Sequence, residues 1–297
     1  MAEQPPVLDP VGFVGLGRMG TPMVRRLAAG GVTVRGHDAV PGVAEGLADV
    51  LTPVSSAAAA AEGASVVILM LPDSGVVEKV VDEGLLDALA PGTLLVDMST
   101  SEPLRTRVLA DRVAERGSTL VDAPVSGGVA GARAGTLTIM VGGPDDAAER
   151  LTPLLALMGR VRHVGGTGAG HALKALNNLL SASHLLATSE AILAGERFGL
   201  DPTAMLDAIN GSSGRSGSTE TKWPTHIVPG TYASGFTAGL MVKDLRIALG
   251  LAEAVDAPRG HAERTLALWS RAVEALGPEA DHTEIARWLR ERPEEDQ

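Results

Sequence analysis

The period of the apolar residues changes once along this sequence, at about Gly165, and the change restricts the folds open to the chain. Before it, short β-branched runs alternate with amphipathic segments, and residues 65–71 (SVVILML) form a continuous apolar run. Such a run is typical of a strand buried on both faces, and hence of a parallel sheet. After it, only helical periods follow. The pattern predicts a Rossmann-type, doubly wound α/β domain followed by an all-α domain.

The periods also predict the individual elements. In the first domain we predict strands at residues 11–15, 32–38, 65–71, 93–99, 119–125, 136–142 and 161–165, and helices at 21–31, 41–47, 75–90, 103–116 and 145–157. In the second we predict helices at 169–198, 202–210, 218–226, 236–255, 259–276 and 282–290. The glycines of GGTGAG permit a change of chain direction. We therefore predict domains at 11–165 and 166–290, a disordered lead-in at 1–10 and a charged tail at 291–297.

Composition excludes several classes of function. The formal charge of −11 argues against binding nucleic acid or an anionic membrane through bulk charge. The chain has no cysteine, which excludes disulfides and thiol catalysis, and we predict no metal site. The start, MAEQPPVLDP, does not read as a signal peptide, and no apolar run approaches the roughly 20 residues that cross a bilayer. We expect a cytoplasmic protein.

A glycine-rich turn, GLGRMG, follows the first predicted strand and opens the first predicted helix. In the pattern G-x-G-x-x-G the first glycine makes a tight turn, the second admits a pyrophosphate to the backbone, and the third lets helix and strand pack closely. The amides at the helix start then face the phosphates. A dinucleotide site is therefore predicted, with a merely structural glycine turn as the alternative. Its contacts in the turn are Gly15, Gly17, Arg18, Met19 and Gly20.

The end of the second predicted strand indicates which dinucleotide binds. Asp38 stands there, where a carboxylate accepts hydrogen bonds from the ribose hydroxyls of NAD. It would repel the 2′-phosphate of NADP, and the next residue is Ala39 rather than an arginine. Arg35 lies within the strand and is poorly placed to replace one. The sequence favours NAD, with NADP possible.

Two further turns follow predicted strands and carry hydroxyl groups. Ser126-Gly127-Gly128 could bend so that several N–H groups converge on a carboxylate, with the serine hydroxyl as a further donor. A plain hairpin loop is the alternative. Ser99 and Thr100 end another strand, where ligands bind in open α/β sheets, although capping of the next helix explains them equally.

The helix at 168–200 holds a concentration of otherwise rare residues. The only lysines are Lys79, Lys174, Lys222 and Lys243, and two of the three asparagines, Asn177 and Asn178, lie in this helix. Lys174 and Asn178 are four residues apart and share a face. Lys174 could transfer the proton of an alcohol–carbonyl interconversion, while Asn178 holds the substrate oxygen or orients the ammonium. A helix with polar residues on its wet face is the alternative. His171 and His184 are interpreted as core or surface residues.

Four separated segments together resemble one protein family. They are GFVGLGRMGTPMVRRL (12–27), DAPVSGGVAGARAGTLTIMVGG (122–143), GAGHALKALNN (168–178) and GFTAGLMVKDLRIA (235–248). The sequence is similar to the β-hydroxyacid dehydrogenases, and within them to the 3-hydroxyisobutyrate dehydrogenases. The resemblance covers residues 11–257. It implies a Rossmann domain joined by a long helix to a helical domain, and NAD(P)-dependent oxidation of a short 3-hydroxy acid to its semialdehyde, in a homodimer or homotetramer.

The resemblance also implies a role for each matching residue. Lys174 would be the catalytic acid/base and Asn178 would assist it. The substrate carboxylate would be bound by Ser126, Gly127 and Gly128, and further cofactor contacts would be Leu71, Pro72, Thr100 and Lys243. Lys79 is interpreted as a surface residue, and Lys222 has no assigned role.

One departure from the family bears on the substrate. Where relatives often carry tryptophan, in SSGRSGS at 212–218, Gly217 stands here and predicts a wider pocket, with Trp223 as a candidate to compensate. Three other functions stay open. A 2-hydroxy-3-oxopropionate (tartronate semialdehyde) reductase differs only in substrate. An imine reductase-like enzyme usually has another residue in place of Lys174. A non-catalytic dinucleotide-binding module would tolerate its substitution.

Overall fold

The computed structural model describes residues 8–291. Most of the predicted lead-in (1–7) and of the predicted tail (292–297) lies outside the described residues. The chain separates into two compact units, Met1–Lys174 and Ala175–Gln297. The division falls inside a long helix, later than the domain boundary predicted at residue 165, which stays a prediction.

The strands of the first unit form one mixed sheet. In chain order they are β1 (Val11–Val14), β2 (Val34–His37), β3 (Thr52–Pro53), β4 (Val66–Leu69), β5 (Leu94–Asp97), β6 (Thr119–Asp122), β7 (Val125–Ser126), β8 (Leu137–Gly142) and β9 (Gly159–Gly165). The spatial order is β3-β2-β1-β4-β5-β6-β8-β7, and β9 pairs with β8. The six strands β1 to β6 are all parallel to one another, whereas β8 runs antiparallel to its neighbours β6 and β7.

Helices cover both faces of this sheet. They are α1 (Gly20–Ala29), α2 (Ala57–Ala61), α3 (Ser74–Val80), α4 (Leu86–Ala88), α5 (Pro103–Ala114), α6 (Gly128–Ala134) and α7 (Asp145–Leu155). Alternate residues of β4 enter opposite cores: Val66 and Ile68 pack with α1 and α7, and Val67 and Leu69 pack with α2, α3 and α5. Helices therefore cover both faces of β4, which explains why it is apolar at every position. This arrangement confirms the Rossmann-type fold predicted from the run at 65–71.

Three local features differ from the prediction. The helix predicted at 75–90 is interrupted, because Gly84 adopts φ +109° between α3 and α4. The alanines of α2 form a short helix that starts at Ser56, whose hydroxyl accepts the Ala59 N–H. Helix α6 lies inside the loop predicted after residue 125. In each case a cap or a glycine, rather than an apolar period, determines the structure.

The second unit is helical throughout its described part. The elements are α8 (Ala169–Phe198), which begins in the first unit, α9 (Pro202–Asn210), a π-helical segment (Ser218–Ile227), α10 (Ala238–Ala254), α11 (Gly260–Leu276) and α12 (Ile285–Glu291). The π-helical segment contains Pro224, which lacks an N–H for a regular helix. Trp223 and Trp269 are fully buried in the core of this unit. Among the helices of residues 8–291, none is both long and apolar enough to span a membrane.

Candidate active site

The three glycines of the first turn have different surroundings. Gly15 adopts φ +96°, and a side chain there would collide with the Met70 carbonyl after β4. A side chain at Gly20 would overlap the Gly15 carbonyl. An added Cβ at Gly17 would instead meet nothing within 4 Å. Side chains are therefore excluded at the first and third glycines by neighbouring backbone, whereas the backbone at Gly17 is unobstructed. This arrangement fits a bound pyrophosphate.

Asp38 connects this turn to the end of β2. Its two carboxylate oxygens accept the Leu16 N–H at 2.7 Å and the Val40 N–H at 2.8 Å. Each oxygen retains lone pairs for a further donor, such as a ribose hydroxyl. Asp38 thus fixes the shape of the glycine turn and also carries the negative charge that disfavours a 2′-phosphate. Ala39 beside it is exposed.

The other predicted cofactor residues of the first unit lie on neighbouring strand ends. Leu71 and Pro72 follow β4, and Thr100 follows β5, which is the next strand in the sheet. The Leu71 N–H donates to the Ser99 hydroxyl at 2.9 Å, and the Leu71 side chain lies beside Gly15. Carboxyl ends of parallel strands share one edge, so the glycine turn, Leu71 and Thr100 occupy the same edge.

The Ser-Gly-Gly turn leads directly into a helix. Ser126 ends β7 and pairs with Thr138 of β8. Gly127 and Gly128 are exposed and have φ +125° and +60°, conformations that disfavour any other residue. Helix α6 begins at Gly128, so the turn is not the plain hairpin loop that we kept as the alternative. Neither glycine carries a side chain that could keep a carboxylate from the backbone of the turn, as the predicted carboxylate site requires.

A buried carboxylate at the end of β6 receives the first turn of α8. Asp122 accepts the Gly168 N–H at 2.7 Å and the His171 N–H at 2.8 Å. Burial raises the pKa of Asp122, while the His171 ring and these amides act in the opposite direction. An added Cβ on Gly170 would lie 2.9 Å from Asp122 and would collide with the Met140 carbonyl. The glycines of GAGHALK thus let the start of α8 close onto the sheet.

His171 is a packing residue. Its ring is fully buried, with Nδ1 at 2.8 Å from the Thr106 hydroxyl and Nε2 at 3.7 Å from the Asp97 carboxylate. These contacts join α8 to α5 and to the end of β5. The expectation that His171 is a core residue is confirmed, and His184 is exposed.

Lys174 and Asn178 are both buried on the same face of α8, with 8% and 6% of their surfaces exposed. The Asn178 amide donates to Asp244 at 2.5 Å, and its carbonyl accepts the Asn177 amide at 3.1 Å. Asp244 is 1% exposed and pairs with Lys243 at 3.0 Å. Within the second unit, Asn178 and Lys243 are therefore joined through one carboxylate.

Sequence reasoning missed two residues of these networks, and it misjudged a third. Asp122 and Asp244 were not singled out, although each lies inside a quoted motif, DAPVSGG and LMVKDL. Trp223, suggested as a replacement for the missing indole, is instead wholly buried in the core. Lys79 is exposed and pairs with Glu83 at 3.8 Å, as its interpretation as a surface residue requires. In residues 8–291, no group of His, Asp and Glu has the arrangement of a metal site.

Two family models match adjoining parts of the chain. Residues 10–166 match the NAD binding domain of 6-phosphogluconate dehydrogenase. Residues 168–289 match the NAD-binding model of NADP-dependent 3-hydroxyisobutyrate dehydrogenase.

Three individual proteins are similar over most of their length. The chain is 42% identical over 249 residues to 2-(hydroxymethyl)glutarate dehydrogenase of Eubacterium barkeri, which covers 80% of this chain and 81% of that protein. It is 42% identical over 269 residues to 3-hydroxyisobutyrate dehydrogenase of Pseudomonas aeruginosa, covering 86% and 90%. The structure of Mycobacterium tuberculosis 3-hydroxyisobutyrate dehydrogenase with L-serine has a TM-score of 0.90 at 34% identity, covering 95% and 99%. The chain therefore belongs to the β-hydroxyacid dehydrogenases, the NAD(P)-dependent oxidoreductases that act on the CH–OH group of hydroxy acids.

Proposed function

We propose that this enzyme oxidises a 3-hydroxy acid of the form HOCH₂–CH(R)–COO⁻ to its semialdehyde, with Lys174 as the general acid/base. The observation that carries the proposal is a buried lysine amine on α8 that shares a face with the oriented amide of Asn178. NAD, when bound, supplies the acceptor for the hydride that leaves the carbinol carbon. The residues bind the substrate, orient it and move its proton.

Each residue has a definite task in this reaction. The amides of Ser126, Gly127 and Gly128 hold the substrate carboxylate. The Lys174 amine accepts the hydroxyl proton as the carbon–hydrogen bond breaks and the C=O bond forms. In the reverse direction the ammonium returns that proton to the developing alkoxide. Asn178 donates or accepts a hydrogen bond at the same oxygen, and its orientation depends on Asp244.

The substrate class rests on what three relatives have in common. 3-Hydroxyisobutyrate, L-serine and 2-(hydroxymethyl)glutarate, taken from the names of those proteins, all carry a hydroxymethyl group on the carbon next to a carboxylate. They differ only in R, which is methyl, ammonium or a propanoate chain. Glycerate, the product of tartronate semialdehyde reduction, belongs to the same series with R as hydroxyl. That reductase is therefore the second candidate, favoured by the same site.

For the cofactor we propose that NAD is preferred over NADP. A 2′-phosphate bound at the end of β2 would be repelled by Asp38, and the exposed Ala39 offers no cation to compensate. The bonds from Leu16 and Val40 hold the carboxylate in place, so it cannot easily turn away.

A substrate panel tests the proposal. Initial rates of NADH formation would be measured with 3-hydroxyisobutyrate, serine, glycerate, 3-hydroxypropionate and 4-hydroxybutyrate, each with NAD and with NADP. We expect turnover of the compounds that carry the hydroxymethyl carboxylate unit and little with 4-hydroxybutyrate, whose carbinol is one carbon further from the carboxylate. Absence of turnover with every 3-hydroxy acid would refute the substrate class.

We further propose that the enzyme is a cytoplasmic homodimer or homotetramer. Leu176 and Leu180 expose 41% and 58% of their surfaces on α8, and Phe198 at its end exposes 85%. A second copy of the chain would remove these apolar groups from water. Light scattering after gel filtration should give two or four times 30.4 kDa, and a monomer at micromolar concentration would refute this part of the proposal.

A further inference from the structure

Lys222 is the lysine that the reaction leaves unexplained, and it lies beside the polar face of α8. It belongs to the π-helical segment, and its Nζ donates to the Ser181 hydroxyl at 2.6 Å. Ser181 follows Asn178 by three residues and Lys174 by seven, so all three lie on one face of α8. The Lys222 ammonium therefore contacts the same face of α8 on which Lys174 and Asn178 lie.

The charge of Asp281 acts on this ammonium, but the two groups do not form an ion pair. Among residues 8–291, Lys222 forms no ion pair, and one hydrogen bond to Ser181 uses one of its three donors. Burial lowers the pKa of Lys222 to about 8, with Asp281 acting in the opposite direction.

The two neighbouring titratable groups, Asp281 and His282, make their hydrogen bonds to other residues. The Asp281 carboxylate accepts the Ser234 hydroxyl and the N–H groups of Gly235 and Thr283. Burial, followed by the charge of Lys222, lowers the pKa of His282 to about 4, so that its ring is neutral at pH 7. A half-buried cation with no direct ion pair loses part of its hydration without gaining a paired counter-charge, which is unfavourable in a folded protein.

Lys222 is accessible from solvent, and the residue five positions before it carries no side chain. Hydrogen bonds in a π-helix join residues five apart, so Gly217, at the start of the segment, lies on the turn next to Lys222. Gly217 is exposed, and an added Cβ there would meet nothing within 4 Å. Lys222 itself is only partly covered. A ligand group can therefore reach Lys222, and position 217 has no side chain that could block it.

We propose that Lys222 is a specificity-determining residue that binds a second carboxylate, carried on the R group of the substrate. This inference rests on the proposed function and names its preferred substrates: 3-hydroxy acids that are also diacids, and the corresponding semialdehydes. A charge-assisted hydrogen bond from Lys222 to that carboxylate supplies the direct ion pair that Asp281 does not form. Ser181 holds the ammonium in position.

The length of such a substrate is of the same order as the spacing of these residues along α8. Seven residues of helix separate the Cα atoms of Lys174 and Ser181 by roughly 10 Å along the axis. In 2-(hydroxymethyl)glutarate six bonds join the carbinol oxygen to the distal carboxylate oxygen, which is about 7 Å for an extended chain. Hydrogen bonds of about 2.8 Å at the two ends extend this to more than 10 Å. The C4 diacid is about 1 Å shorter.

Matched substrate pairs test the inference. Each pair compares a diacid with the same molecule ending in methyl: 2-(hydroxymethyl)glutarate against 2-(hydroxymethyl)pentanoate, and 2-(hydroxymethyl)succinate against 2-(hydroxymethyl)butanoate. For the wild-type enzyme we expect kcat/KM to be at least about tenfold higher for the diacid of at least one pair. In Lys222→Met, which keeps the length and loses the charge, the ratio should fall to about one or below.

Two further variants complete the design. Lys222→Arg retains the charge and should keep a ratio above one. It provides a second test of the role of the charge if Lys222→Met folds poorly. Lys79→Met removes an exposed lysine of the first unit and should leave the ratio unchanged. A wild-type ratio near one in both pairs, with good turnover of the methyl-terminated acids, would overturn the inference alone. Absence of turnover with all four substrates of the two pairs would refute the proposed function as well.

Discussion

Asn178 shows how a residue can be predicted while its partner is not. Its spacing from Lys174 is visible within one helix, but the carboxylate that orients its amide, Asp244, comes 66 residues later. No local pattern connects the two positions, since the pairing depends on how α10 packs against α8. Asp122 is similar: its amide partners at Gly168 and His171 are 46 and 49 residues away. Motif residues were therefore predictable, and their buried supports were not.

At Asp244 we predict a loss of activity without loss of fold. Asp244→Asn keeps the size but removes the charge that pairs with Lys243 and accepts from Asn178. Because hydrogen bonds to buried charged groups contribute roughly 1.5–3 kcal/mol, kcat/KM should fall about 10- to 100-fold. Steady-state kinetics measure the change, with the exposed Asp207→Asn as control. Activity within twofold of wild type would show that Asp244 does not support the site.

At Asp38 we predict a change of cofactor preference. The double variant Asp38→Asn, Ala39→Arg retains an oxygen acceptor for the glycine turn, removes the repelling charge and adds a cation for the 2′-phosphate. The ratio of kcat/KM for NADP to that for NAD should rise about 100-fold, equivalent to roughly 2.7 kcal/mol. An unchanged ratio would place the adenosine ribose away from Asp38.

The start of α8 contains glycines whose packing role could not be predicted from the sequence. The glycines of GGTGAG are interpreted as permitting a change of chain direction, and Gly168 and Gly170 also pack tightly against Arg107, Met140 and Asp122. They allow the start of a helix to approach the sheet, and Gly168, at φ +88°, also lets the chain turn there. Composition alone cannot separate these two uses of glycine, because the contacting atoms come from β6, β8 and α5.

Gly170→Ala tests that role of the helix start. The added methyl would collide with the Met140 carbonyl and the Asp122 carboxylate, and so displace the first turn of α8 and with it Lys174. We expect destabilisation of about 1–3 kcal/mol, measured by urea unfolding, and a lower kcat. Gly166→Ala is the matched control, because its methyl would meet nothing within 4 Å. Equal behaviour of the two variants would mean that the approach at Gly170 is not required.

At the scale of the molecule, the fold class was predictable because it depends on periods that run through the whole chain. The run at 65–71 indicated a doubly covered parallel strand, and β4 is such a strand. The antiparallel β8 was not predictable, because strand direction depends on the loop and α6 between β7 and β8. The core of the second unit also depends on residues that no motif marks, His282 among them.

His282 should make stability depend on pH. Its pKa is about 4 in the folded protein against 6.5 for an unperturbed histidine, mainly because burial penalises the charged ring. Between these values the unfolded state binds a proton that the folded state does not, so stability is lost as pH falls from 6.5 towards 4. The loss amounts to at most about 3 kcal/mol.

The measurement is urea unfolding at pH 7 and pH 5. His282→Asn retains a donor for the Phe236 carbonyl but cannot titrate, so its stability should change less between the two pH values than that of wild type. The exposed His184→Asn should behave as wild type does. A pH dependence that is the same in His282→Asn and wild type would rule out this histidine as its source.

The central claim is that the Lys174 amine moves the substrate proton, and Lys174→Met tests it most directly. The variant keeps the length of the side chain and removes the amine, and Lys79→Met is the control. With the best substrate of the panel, kcat should fall by about 10² to 10⁴, the usual contribution of general acid–base catalysis. The dissociation constant of NADH, from fluorescence titration, should stay within about threefold of wild type, since the glycine turn and Asp38 are untouched. A variant that keeps more than about a tenth of wild-type kcat at its pH optimum would contradict the account.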